Sequence, residues 1–116
     1  MTRQHIGIIG AGLMGHGIAQ AFAVAGHHVD IQEPDPDRRA RIVDHVRRNL
    51  QELNMDDTAA DQIRPCETLE DAVGHADVVI EAVPEDLDLK QRIFVAIEAA
   101  APPHALLASN TSVTPI

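Results

Sequence analysis

Residues 5–33 read HIGIIGAGLMGHGIAQAFAVAGHHVDIQE, and six of them, Gly10-Ala11-Gly12-Leu13-Met14-Gly15, decide the fold. They form G-x-G-x-x-G between a short β-branched strand, His5–Ile9, and a segment with helical apolar spacing, Leu13–Ala25. In that setting each glycine has a task. The first allows a tight turn, the second lets the backbone approach a pyrophosphate, and the third packs the helix against the sheet. The helix start then offers free N–H groups and the positive end of its dipole to the phosphates. Glu33 closes the second strand about 20 residues beyond the glycines, the place of the ribose-binding carboxylate in dinucleotide folds. A carboxylate there accepts hydrogen bonds from the adenosine ribose hydroxyls and repels a 2′-phosphate, so NAD is expected rather than NADP. Arg38 and Arg39 lie beyond Pro34 and Pro36 inside a helix and read as a solvated face. His16, in the first helical turn, reads as a bystander at the pocket mouth.

Outward from this unit, strand and helix signals alternate to the last residue. Gly26 marks the end of the first helix and His28–Gln32 the second strand. Pro36 opens a helix with Asp35 as N-cap and a buried stripe of Ile42, Val43, Val46, Leu50 and Leu53. Asp37–Arg41 and Asp44–Arg48 are i,i+4 pairs for its wet side. A weak strand near Gln62–Cys66 follows, then a short helix capped by Thr68. Asp77–Val83 is apolar at its centre on both faces, as an interior parallel strand must be. Asp86 or Asp88 caps a helix carrying Leu89, Ile93, Ala96 and Ile97, which Pro102–Pro103 stop, and Ala105–Ser109 is the last strand. The alternation implies an α/β fold with a Rossmann-type doubly wound parallel sheet, incomplete at its C-terminal end. Residues 1–116 are read as one partial nucleotide-binding domain. The open edge at Ala105–Ser109, with Leu106 and Leu107, predicts a homodimer or larger species. One run breaks the pattern: His28, Asp30 and Gln32 put three polar side chains on one face of strand two. A strand close to the sheet edge, or arginines from the following helix, would account for them.

Composition bounds the function. The net charge of −9 and the lack of aromatics beyond Phe22 and Phe94 argue against nucleic acid. No apolar run suits a membrane and no signal-peptide pattern is present, so a cytoplasmic protein is expected. The single cysteine, Cys66, reads as a small apolar filler, and the seven histidines lack metal-ligand spacing, so no metal is expected.

The stretches GAGLMGHGIAQAFAVAGHHV, ADVVIEAVPEDLDLKQRIF and LLASNTS together resemble the 3-hydroxyacyl-CoA dehydrogenases, over essentially the whole chain. That resemblance implies an oxidoreductase of fatty acid metabolism that uses NAD to convert a 3-hydroxyacyl-CoA into the 3-oxoacyl-CoA. It implies that Gly10, Gly12, Leu13, Met14 and Gly15 form the pyrophosphate loop, with Glu33 on the adenosine ribose. Glu85 and Lys90 would contact the ribose on the nicotinamide side. Asn110 would sit by the nicotinamide, and Ser112 would hydrogen-bond the 3-oxygen of the substrate. It further implies that the catalytic histidine, its orienting glutamate and a helical C-terminal domain lie beyond Ile116, so that this chain alone is inactive. The segment between Glu33 and Asp77 is shorter than is usual in the acyl-CoA members. Dehydrogenation of carnitine or a sugar acid therefore stays open as an alternative, as does a stand-alone NAD-binding module without catalysis.

Overall fold

The computed structural model describes residues 3–10, 12–83 and 86–109, and for Leu13 the backbone alone. The expectations placed on Ala11, Glu85, Asn110 and Ser112 lie outside the described residues. The chain order is β1 (His5–Ile9), α1 (Leu13–Val24), β2 (His28–Gln32), α2 (Pro36–Glu52), a 3-10 helix (Asp57–Gln62), β3 (Ile63–Cys66), α3 (Leu69–Val73), β4 (Val78–Glu81), α4 (Leu87–Ala100) and β5 (Leu106–Ser109). The five strands are all parallel in the order β3-β2-β1-β4-β5. The winding reverses between β1 and β4, the place where doubly wound sheets open a crevice beyond their C-terminal strand ends.

Alternation along the strands divides the apolar side chains between two cores. Ile6 and Ile8 of β1 pack with Ala19 and Ala23 of α1 and with Ile42, Val46 and Leu50 of α2. Ile9 joins the opposite core with Leu69 and Val73 of α3, Val79 of β4 and Ile97 of α4. Cys66 is buried in this second core, and burial raises its thiol pKa, with Arg64 opposing. It is the inert filler its sequence context suggested.

The helices begin and end where local chemistry dictates. α1 stops in a Schellman turn: the N–H of His27 reaches the carbonyl of Phe22 and that of Gly26 the carbonyl of Ala23. Asp35 caps α2 through the N–H of Asp37, Thr68 caps α3 through Asp71, and Asp86, rather than Asp88, caps α4 through Leu89. Three expectations need correction. Leu53 is not part of the buried stripe; it stands at the C-cap of α2 and is 60% exposed. The ion pairs of α2, among the described residues, are Arg38–Asp35 and Arg47–Asp61 rather than Asp37–Arg41 and Asp44–Arg48. The polar face of β2 finds its partners on the edge side of the sheet and not on α2. β2 lies next to the edge strand β3, as expected, and buried Asp30 is held at 2.9 Å by Arg64 of β3 and at 2.8 Å by His28.

The two edges of the sheet differ. β3 carries Arg64 and Pro65, a charge and a missing N–H that discourage further pairing. All four residues of β5 are exposed, Leu106 at 69%.

Candidate functional site

At the end of β1 the backbone turns at Gly10 with φ +101°. A Cβ there would stand 2.7 Å from the carbonyl carbon and oxygen of Ala82, so position 10 needs glycine for both its dihedral and its contact with the end of β4. A Cβ on Gly15 would fall 2.1 Å from the carbonyl oxygen of Gly10, so the third glycine seats α1 on the turn. Gly12 is different. Its φ is −35° and a Cβ there would meet no atom within 4 Å. Nothing among the described residues demands glycine at position 12, whereas close approach of a ligand would.

The same turn has a second peculiarity. Among the described residues no side chain caps α1 and its first turn holds no acidic residue, whereas α2, α3 and α4 are each capped by Asp or Thr. The leading N–H groups of α1 therefore face outward with the helix dipole behind them, ready for an anion. Met14, 58% exposed, forms the rim. These features fit a pyrophosphate.

Glu33 follows β2 at the same edge and is 8% exposed. Its Oε2 accepts the N–H of Asp35 at 3.0 Å, which fixes the carboxylate at the strand end. Arg39 is not a free surface cation. It donates to the carbonyls of Glu33 at 3.0 Å and Pro34 at 3.3 Å and so stiffens this turn, while Arg38 stays out on Asp35. Behind Glu33, the ring of His16 packs 5.1 Å from that of His45 on α2, and its buried Nδ1 has no hydrogen-bond partner among the described residues. Burial, and then His45, lower the pKa of His16, with Glu33 opposing. The ring of His16 thus lies against α2 rather than free in solvent.

Across the switch point lies a residue that sequence reasoning passed over. Glu81, the last residue of β4, is fully buried. Its Oε2 accepts the N–H of Val83 at 2.7 Å and its Oε1 the hydroxyl of Ser109 at 2.9 Å. The ammonium of Lys90 stands 3.8 Å from Oε1, with its side chain only 13% exposed. Lys90, expected at the nicotinamide ribose, is thus at the right edge of the sheet but held by Glu81. The missed signal was a carboxylate inside an otherwise apolar interior strand.

The remaining histidines gather elsewhere. His104 bonds Asp77 at 2.9 Å, Asp77 also accepts the N–H of His5, and the His5 and His28 rings lie 5.0 Å apart. All of these are at the N-terminal ends of the strands, away from the glycine turn. Among the described residues no group of three His, Cys, Asp or Glu could hold a metal ion.

Comparison with known proteins agrees with this geometry. The family described as 3-hydroxyacyl-CoA dehydrogenase, NAD binding domain, matches residues 5–116. The chain belongs to the 3-hydroxyacyl-CoA dehydrogenase family. It is an NAD-binding Rossmann domain, and its cofactor is NAD. Among its curated relatives are a "Probable 3-hydroxybutyryl-CoA dehydrogenase" of Bacillus subtilis, 36% identical over 100% of this chain and 43% of that protein. An L-carnitine dehydrogenase of Streptomyces coelicolor is 35% identical over 97% of this chain and 37% of that protein. A crystal structure of 3-hydroxybutyryl-CoA dehydrogenase from Escherichia coli superposes with a TM-score of 0.87 at 29% identity, covering 97% of this chain and 25% of that one. The domain therefore spans less than half the length of these relatives. Among the described residues no helix is long and apolar enough to cross a membrane.

Proposed function

We propose that this domain serves an enzyme that oxidises the 3-hydroxyl of a 3-hydroxyacyl-CoA to the 3-oxoacyl-CoA. The observation that supports it best is the pairing of an uncapped α1 behind Gly12 with Glu33 at the end of β2. Gly10 to Gly15, including Leu13 and Met14, would hold the pyrophosphate, and Glu33 the adenosine ribose. Glu85 and Lys90 would hold the second ribose. Asn110 would orient the nicotinamide and Ser112 the 3-oxygen, by hydrogen bonds that need no change of charge. NAD, when bound, supplies the hydride acceptor. The hydroxyl proton needs a base, and the histidines at the N-terminal strand ends are on the wrong side of the sheet. We place the base, and the domain that encloses the acyl chain, outside residues 1–116. Association through the exposed β5 edge and a cytoplasmic setting complete the reading.

Carnitine is the second substrate reading. It is favoured by the carnitine dehydrogenase relative and by a β2-to-β4 segment that holds only α2, a 3-10 helix, β3 and the short α3. Turnover decides between them. Protein expressed from its complete reading frame should form NADH from 3-hydroxybutyryl-CoA about 100-fold more efficiently than from carnitine, a difference of ~2.7 kcal/mol in transition-state binding. The reverse ratio would replace the acyl-CoA assignment with the carnitine one. Activity equal with NAD and NADP would remove Glu33 from its proposed role.

A further inference from the structure

A buried carboxylate costs several kcal/mol in desolvation unless its partners recover it, and an apolar side chain would satisfy an interior parallel strand at no such cost. Glu81 must therefore be doing something an isoleucine could not. Its contacts join three segments. Val83, whose N–H it accepts, leads directly into Pro84-Glu85. Ser109, whose hydroxyl it accepts across the β4–β5 register, leads directly into Asn110. Lys90 rises from the beginning of α4 and directs its ammonium to the same oxygen. Each of these segments carries a residue assigned above to the nicotinamide half of the cofactor site. The adenosine half, Gly10 to Gly15 and Glu33, is built on β1, α1 and β2.

We propose that Glu81 is a positioning residue for the nicotinamide half of the NAD site, acting through Val83, Ser109 and Lys90. This rests on the NAD-binding reading of the domain and adds a division within it: one half of the site is set by the glycine turn, the other by a single buried carboxylate. Glutamine at position 81 keeps the shape but replaces an acceptor by an amide NH2. The hydroxyl of Ser109 can rotate to accept from it. The N–H of Val83 and the ammonium of Lys90 cannot, so one obligate donor loses its partner whichever way the amide is turned.

The test compares NAD with ADP, which fills only the adenosine half, by calorimetry on the 116-residue chain. Glu81→Gln should weaken NAD by about 10-fold, or ~1.4 kcal/mol, while the Kd for ADP stays within about twofold. Ser109→Ala, which leaves the carboxylate with Val83 and Lys90, should weaken NAD alone by about threefold and serves if Glu81→Gln does not fold. Equal losses for both nucleotides would reduce Glu81 to a fold-stabilising group and overturn the proposal. Unchanged NAD affinity in both variants, or wild-type affinities that are equal for NAD and ADP, would overturn it as well. A wild-type chain that binds neither nucleotide would overturn the underlying NAD reading, and this proposal with it.

Discussion

α1 and α4 leave the same edge of the sheet, one after β1 and one after β4, and they begin in opposite ways. α4 satisfies its own first turn: Asp86 accepts the N–H of Leu89 at 3.1 Å, and Asp88 adds a negative charge beside the dipole. Among the described residues, α1 begins at Gly12 with no side-chain cap and no acid, although an acidic cap would add a few tenths of a kcal/mol over glycine and more through the dipole. A helix that forgoes this stabilisation gains where a ligand supplies the missing acceptor. The difference separates a helix start that satisfies its own first turn from one left open, within one domain and 75 residues of chain from Gly12 to Leu87.

The largest effect expected on this comparison comes from making α1 like α4. Gly12→Asp places a carboxylate in open space at the helix start. It should stabilise the fold by about 0.5–1 kcal/mol through capping and the dipole. It should also weaken NAD by at least about 100-fold, because the new charge stands where the pyrophosphate would. Thermal unfolding and calorimetry on one sample read both numbers. Retained NAD affinity would move the phosphate site away from α1.

Making α4 like α1 should have the converse, smaller result. Asp86→Ala should destabilise the domain by about 1 kcal/mol and lower its Tm by about 4 °C. ADP affinity, which depends on α1, should not change. A loss of ADP binding would mean that the two helix starts act together.

The smallest effect concerns pH. His16 lies in the first turn of α1, and its pKa is lowered chiefly by burial. The folded state therefore binds this proton less tightly than the unfolded chain does. The stabilisation by neutral His16 is full above its ordinary value of about 6.5 and is lost as pH falls through the lowered one. Urea unfolding should show a drop in stability on going from about pH 7.5 to 5.5, and His16→Gln should flatten that slope. An unchanged slope in the variant would assign the pH dependence to another group.

Much of the domain could be read before folding. The alternation of strand and helix, the glycine turn and the Asp and Thr caps are local signals carried by neighbouring residues, and the structure places them where the sequence did. Some of the readings that failed depended on partners far along the chain, others on nearby contacts that no residue letter marks. The cation for Asp30 was expected from the arginines of α2, but it is Arg64, 34 residues away on the edge strand β3. Arg39 looked like surface charge because its acceptors are main-chain carbonyls that the sequence does not mark. Glu81 was absorbed into an apolar strand because Ser109 meets it only after β5 pairs with β4.

The sequence by itself determined the class of fold and the position of the glycine turn, and it pointed to NAD, because each follows from dihedral freedom, side-chain period or charge within a short window. The tertiary structure decided which charges are bound and which are free. Burial and parallel register bring together groups such as Glu81, Lys90 and Ser109, whose separation along the chain leaves no periodic trace. It also decided that Gly12, alike in letter to Gly10 and Gly15, is the one glycine of the three with no atom of the described residues against the place of its Cβ, since only packing can show which contacts a missing Cβ makes room for.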